Sequence, residues 1–331
     1  MGTHFAGRNL GRNPLSNAIL VLTLTGAIRA PLWSAQPHSR PQFPDWQTAA
    51  GGRMAFDVAS VKKNTTAPPS ARNSNFPLGP GDVYVPNGGH FRAMNFPLVA
   101  YIEFAYKVTD SQGQLLLPQL PKWVTTDHFD IQASVQGNPT KDQMRLMMQS
   151  LLADRFKLTV HYETRQIPVF ALLMDTPGKL GPLLQQHADD SPCPTTPWVP
   201  SPPPTAPPQT LDTRFPGPCG GILGMPPSVP GRMRAGARNV TMELIASSMT
   251  GPEGGVDRPV LDRTGLTGMF DFAIEFTPTV NGRADSGSNS RADSTGPTLL
   301  QALKEQLGLK LEPQMGPMDV LVIDYVEQPV S

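Results

Sequence analysis

The feature that most constrains the fold is an internal repeat. The stretch LLADRFKLTVHYETRQIPVFALLM (residues 151–174) aligns without a gap with ALKEQLGLKLEPQMGPMDVLVIDYV (302–326). Leu158 falls on Leu309 and Val169 falls on Val320, so the offset is 151 residues at both points. In each copy, alternating apolar and polar residues follow a helix-like segment, which is typical of a strand with one wet face.

Other segments repeat in the same order. The stretch 94–102 matches 238–246, and FDIQASV (129–135) matches FDFAIEF (270–276). Thr140 and Gln143 form a predicted capping box before one helix, as Thr298 and Gln301 do before another. The sequence therefore predicts an α+β fold with an internal duplication of a β-α-β-α-β-β unit, in which antiparallel or mixed sheets carry helices packed on one face.

The N-terminus is typical of a secretory signal. Arg8 and Arg12 precede an apolar run, AILVLTLTGAI (18–28), and small residues follow it. We predict that residues 1–35 are a signal peptide or an uncleaved N-terminal anchor, and that the protein is exported to the periplasm, the cell surface or the medium. A buried helix of the fold is the alternative.

The remaining boundaries follow from composition. We predict a linker at 36–54, a first α+β repeat at 55–185, a Pro-rich linker at 186–230 and a second repeat at 231–328, with a disordered loop at 281–297. Cys193 and Cys219 lie in the Pro-rich linker, and export favours a disulfide between them over two free thiols. Their spacing predicts no metal site.

Charge narrows the choice of partners. The 27 basic and 27 acidic residues balance, and Arg8, Arg12 and Arg29 lie in the first 35 residues. The rest of the chain is slightly acidic, which argues against nucleic-acid binding. We expect a small ligand or an envelope protein as partner, and membrane contact only through an uncleaved N-terminal segment.

Catalytic signatures are weak. The sequence has no P-loop, HExxH or GxSxG motif, and we predict no cofactor. The least weak catalytic candidates are Asp127, His128 and Asp130, because a histidine beside carboxylates can do acid–base or metal chemistry. The simpler interpretation is that Phe129 is core and His128 is surface. Asp130 and Asp271, each in a Phe-Asp pair, are then structural rather than a pair of acids.

Four residues are weak candidates for ligand binding. Arg263, in a turn, could hold an anion, although a salt-bridged turn is the simpler account. Tyr101 and Trp123, together with Tyr106, could line a groove, although core packing is the commoner fate of such aromatic residues.

Several of these stretches also carry a family resemblance: FDVASVK, GGHFRAMNFPL, LPKW, CGG and RPVLDRTGLTGMFDF, besides the repeat itself. Over about residues 54–327, the chain resembles a large paralogous family of exported proteins typical of Acidobacteria, catalogued as a domain of unknown function. Some related domains are attached to membrane metallopeptidases of the antibiotic-sensor type. The resemblance thus implies an extracytoplasmic sensing or binding domain, and it implies no catalytic residues.

Three functions remain open. A non-catalytic exported binding or sensor module is favoured by the duplication, the signal segment and the lack of a catalytic set, with a crevice between the two halves as its natural site. A hydrolase or metal-dependent enzyme with a site built from loops is the first alternative. A structural envelope protein acting through protein partners is the second.

Overall fold

A computed structural model describes residues 44–65, 68, 71–189, 193, 214–216, 219–251, 255–280, 283–284 and 296–329. The predicted signal segment lies outside these residues, as do most of the Pro-rich linker and most of the loop at 281–297. No helix within the described ranges is long and apolar enough to cross a membrane.

The first half builds one antiparallel sheet and five helices. Its strands are β1 (Val58–Asn64), β2 (Asn73–Ser74), β3 (His90–Pro97) and β4 (His128–Ser134), in the order β1-β4-β3-β2. Its helices are α1 (Asp45–Ala49), α2 (Leu98–Ala105), α3 (Asp110–Leu116), α4 (Lys122–Thr126) and α5 (Lys141–Phe156), with a 3-10 turn at Leu117–Gln119. Helix α1 lies in the segment that was predicted to be a linker.

The second half repeats the sheet with shorter helices. After the long strand β5 (Thr159–Met174) come β6 (Leu184–Gln186), β7 (Leu223–Met225), β8 (Met233–Val240), α6 (Met242–Ser247), β9 (Val260–Asp262), β10 (Phe270–Phe276), β11 (Thr279–Val280), β12 (Arg283–Ala284), α7 (Leu299–Ala302), a π-helical turn (Leu303–Leu307) and β13 (Leu309–Tyr325). The order β6-β10-β8-β7 matches that of the first sheet, and within the described residues β11 and β12 form a separate two-stranded sheet.

A long ribbon joins the two halves. Strands β5 and β13 pair antiparallel along their whole length, and β9 adds to β5 in parallel. The prediction of two separate strands at the end of each copy is therefore wrong. Residues 163–166 are exposed, yet the strand continues through them because the partner strand satisfies their backbone groups.

Each end of the ribbon covers a different core. Leu158 of the first copy and Leu321 of the second join the core of the first half, which includes Phe91, Phe129 and Phe156. Leu172 and Leu309 join the core of the second half. Both cores thus contain strands from both copies. The α+β class and the mixed sheets are confirmed.

Helix boundaries follow local chemistry in both halves. The capping boxes predicted at Thr140 and Thr298 are both present, with the hydroxyl of each accepting a bond from the backbone N–H three residues on. At the other end, Lys157 and Gly308 both take left-handed conformations. Such parallels agree with a duplicated unit, although the duplication itself stays a prediction.

Candidate functional site

A cavity of about 340 Å³ lies between the two halves, beside the ribbon. The first half lines it with the loop 80–82 and with residues 106–112, and the second half with residues 239–244. The ribbon adds Tyr162 and Asp319. This volume falls in the usual range for small-molecule sites, and its position agrees with the crevice expected from the repeat.

The loop 79–82 forms one wall and is fixed by buried cations of α5. Arg145 is fully buried, pairs with Asp142 and, at 2.7 Å, with Asp82, and donates to the carbonyls of residues 80 and 81. Lys141 Nζ donates to the carbonyls of residues 79 and 81. Burial, and then the charge of Arg145, hold the pKa of Lys141 well below its ordinary value. The wall is therefore rigid before any ligand arrives.

Two glycines let the halves meet at this wall. A Cβ on Gly81 would lie 1.9 Å from the carbonyl oxygen of Gly220, and a Cβ on Gly220 would lie 2.3 Å from Cβ of Val83. Gly220 also has a φ of 81°, which L side chains rarely adopt. Glycine at both positions is thus a steric requirement of the closed wall.

Aromatic rings supply the flat surfaces of the cavity. They belong to Trp46 of α1, Tyr106 after α2 and Tyr162 of β5. Burial raises the pKa of Tyr106 to about 12, and burial also raises the pKa of Tyr162. Both phenols therefore stay protonated at neutral pH and can donate hydrogen bonds.

The charges that line the cavity are mostly acidic. Within the described part of the chain, the lining holds three acidic residues, Asp82, Glu243 and Asp319, and one cation, Lys107. Lys107 already pairs with Asp82, at 2.7 Å, and its Nζ lies 5.9 Å from the Trp46 ring centroid. Burial raises the pKa of Asp82, but bonds from Lys107 and Arg145 outweigh it and lower that pKa. Glu243 and Asp319 therefore leave the cavity with an excess of negative charge.

The catalytic candidates lie elsewhere, on or beside the first sheet, and the two aspartates bond to its residues. Asp127 pairs with Lys63 at 2.7 Å and accepts from Gln328, and Asp130 accepts from the Asn95 N–H and from Asn64. His128, half-buried on β4, has a buried Nε2 without a hydrogen-bond partner in the described part of the chain. Asp127, His128 and Asp130 all lie within the described residues, and none of them lines the cavity.

The predicted ligand-binding residues also lie outside the cavity lining. Tyr101 is fully buried, and its hydroxyl lies 2.8 Å from the Phe129 carbonyl oxygen, to which it can donate. Trp123 packs against the first core. Arg263 is exposed, beside a turn in which Asp262 accepts bonds from Thr264. Of the aromatic residues named from the sequence, Tyr106 is the one placed in the cavity.

A second polar cluster lies next to the cavity, in the second half. Asp271 is buried and accepts from the Asn239 N–H at 3.0 Å and pairs with His187 at 2.6 Å. Nearby, Cys193 and Cys219 form the predicted disulfide, with a Cα–Cα distance of 5.5 Å. The ligand atoms of His187 and of both cysteines lie within 4.8 Å of one another, which the linear spacing does not reveal.

Sequence reasoning missed most of the cavity. Trp46 lay in a supposed linker, and Lys107, Glu243 and Asp319 belong to no motif. The one usable signal was the predicted repeat, because a crevice between two similar halves is a natural place for a ligand site.

Comparison with known proteins identifies a family but no activity. The family model described as "Protein of unknown function (DUF3738)" matches residues 99–326, more than half of the chain. Comparison with curated proteins gives no match, and neither does comparison with solved structures. The chain therefore belongs to the DUF3738 family of proteins of unknown function.

Proposed function

We propose that the protein is a non-catalytic binding or sensor module that works outside the cytoplasm and binds a small ligand between its two halves. The observation that carries the proposal is the cavity, which neither half could form alone. Its wall is held by buried charges, so the site is largely preformed, as small-molecule sites usually are.

The lining favours a ligand with a positive charge and an apolar or flat body. Glu243 and Asp319 supply carboxylates, and Lys107, the one cation among the described residues that line the cavity, is already paired with Asp82. The rings of Trp46 and Tyr106 can attract a cation through their faces. An amine- or guanidinium-bearing compound, such as a basic peptide fragment, is the chemical class that fits.

Two features support a place outside the cytoplasm. The N-terminal segment has the form of an export signal, and the disulfide is of a kind that persists in oxidising compartments. We also propose that the family is an exported, acidobacterial one and that the two halves arose by duplication of one ancestral unit. The enzyme alternative has less support, since Asp127 and Asp130 are engaged in bonds that hold the first sheet.

The test is a thermal-shift screen of the full chain with matched ligand pairs. Phenethylamine and phenylacetate have similar bodies and opposite charges, as do a basic and an acidic dipeptide. We expect only the cationic members to raise the melting temperature with concentration, because a ligand that binds the native state stabilises it. A response to the anionic members alone, or to none of the compounds, contradicts the proposal.

Variants assign a response to the cavity. The double substitution Glu243→Gln and Asp319→Asn removes both carboxylates, and we expect binding to weaken about tenfold, or about 1.4 kcal/mol. Glu312→Gln is the matched control, because Glu312 is exposed on the same strand as Asp319 and pairs with Lys310 outside the cavity lining. Equal loss of affinity in the control and the double variant would place the ligand elsewhere.

A further inference from the structure

The cluster of His187, Cys193 and Cys219 has the chemistry of a metal site. One ligand atom from each residue lies within 4.8 Å of the others. In the structure the sulfurs form a disulfide, whereas cysteine binds metals as the thiolate. Two thiolates and one imidazole are a ligand set that Zn²⁺ accepts in proteins, with a fourth position left for water or a ligand.

The surroundings of His187 suit a metal ligand. Its side chain is 7% exposed and that of Asp271 is 3% exposed, and Nδ1 lies 2.6 Å from a carboxylate oxygen. With Nδ1–H donated to Asp271, Nε2 keeps the lone pair that a metal needs. Metal-binding histidines in proteins usually donate their other ring N–H in this way, most often to a carboxylate or a carbonyl.

The sulfur side is also prepared. Asn239 Nδ2 lies 3.5 Å from Sγ of Cys193, so its N–H can donate to a thiolate there. The backbone N–H of the same residue is held by Asp271. The carboxylate of Asp271 thus holds both the imidazole of His187 and the backbone of Asn239, whose side-chain amide lies beside Cys193.

The first half shows that this histidine is not required by the fold. At the matching place, Asp130 accepts from the Asn95 N–H and from Nδ2 of Asn64, at the end of the strand next to β4. An amide therefore does the structural work there. The second half has an imidazole instead, next to its two cysteines.

We propose that reduction of the Cys193–Cys219 disulfide creates a Zn²⁺ site formed by both thiolates and His187 Nε2. A dithiol reductant transfers two electrons and two protons to the S–S bond and becomes a disulfide itself. The metal then displaces the two thiol protons. Because Asn239 and Gly220 also line the cavity, metal binding would change its wall.

The experiment compares the full chain oxidised and reduced, with Co²⁺ as a spectroscopic probe and Zn²⁺ as competitor under anaerobic conditions. We expect one equivalent of Co²⁺ to bind only after reduction with a phosphine, with a thiolate-to-metal absorption band that Zn²⁺ abolishes. Metal binding to the oxidised chain with equal affinity overturns the proposal. So does a reduced chain, folded or unfolded, that binds none.

His187→Asn is the decisive variant, because it copies the residue used in the first half and keeps a donor for Asp271. Loss of an outer partner alone costs metal sites about 10–100-fold in affinity, so loss of this ligand should cost at least that much. His161→Ala is the control, since His161 is a half-buried histidine on the ribbon that bonds Asp324 and Glu163, and it is not part of the metal cluster. Wild-type affinity in His187→Asn refutes the role of the imidazole.

Discussion

In both halves of the molecule an aspartate accepts a hydrogen bond from the backbone N–H of an asparagine, but the second partner of the aspartate differs. In each sheet the register slips near an asparagine of positive φ, Asn95 or Asn239, whose N–H points at an aspartate of the neighbouring strand. Asp130 also accepts a hydrogen bond from the side-chain amide of Asn64, whereas Asp271 also bonds the imidazole of His187. The bond from the asparagine N–H to the aspartate is present in both halves, so the fold requires it. The second partner of the aspartate differs between the halves, so the fold does not require a histidine there.

The helices before the ribbon differ in a similar way. Helix α5 has 16 residues, whereas α7 and its π-helical turn have 4 and 5. The missing length is close to two α-helical turns, so the apolar face stays directed at the core. The longer helix gives the first half the buried Arg145 that holds the cavity wall.

The largest expected difference between the halves concerns the two aspartates. Asp271→Ala should lower the free energy of unfolding by about 3–5 kcal/mol, because it strands a buried histidine and a backbone N–H. Asp130→Ala should cost about 1–3 kcal/mol, since it leaves the backbone N–H of the buried Asn95 without its acceptor, whereas Asp130 itself and its other partner, Asn64, are only half-buried. Urea denaturation of both variants measures this, and equal losses would contradict the comparison.

The next difference concerns the residue that follows the helix before the ribbon: its conformation is left-handed in both halves, but it is Lys157 in the first and Gly308 in the second. A Cβ on Gly308 would lie 2.7 Å from the Gly181 nitrogen, so Gly308→Ala should destabilise the fold by about 2–3 kcal/mol. Lys157 at the matching position has a φ of 53°, and Lys157→Gly should stabilise by about 0.5–1 kcal/mol by relieving the left-handed strain. Chemical denaturation tests both signs, and a stabilising Gly308→Ala would show that the ends are not equivalent.

The last difference, smaller than that expected for Gly308→Ala, is a pH dependence that arises in the first half. Burial, and then the Asp110 carboxylate, raise the pKa of Glu103 to about 7, whereas the matching position holds Ser247. A raised native pKa stabilises the fold below the unfolded value of 4.5, and this stabilisation disappears as the pH rises through 7.

Relative to Glu103→Gln, the wild type should therefore lose about 1–2 kcal/mol of stability between pH 5 and pH 8. Urea denaturation at the two pH values measures the difference. Parallel pH profiles for the wild type and the variant would show that this carboxyl does not titrate with unfolding.

Much of the fold could be predicted, and little of the site. Capping at Thr140 and Thr298, core positions at Phe129 and Phe270 and the α+β class all follow from local patterns. The continuous strand through residues 163–166 did not, because those polar residues carry no strand signal and are held only by β13. Of the candidates chosen because acidic residues and a histidine are adjacent in the sequence, His128 lies on β4, and Asp127 ends α4 and pairs with Lys63 of β1.

The sequence by itself determined the α+β class, the capping boxes and many of the core positions, since these depend on side-chain periodicity and capping within a few residues. Only the tertiary structure decided that Trp46, Lys107 and Asp319 share one cavity, and that His187 lies beside the disulfide. The physical reason is that such contacts depend on how two cores pack around a shared ribbon. No short-range pattern in the chain records that packing.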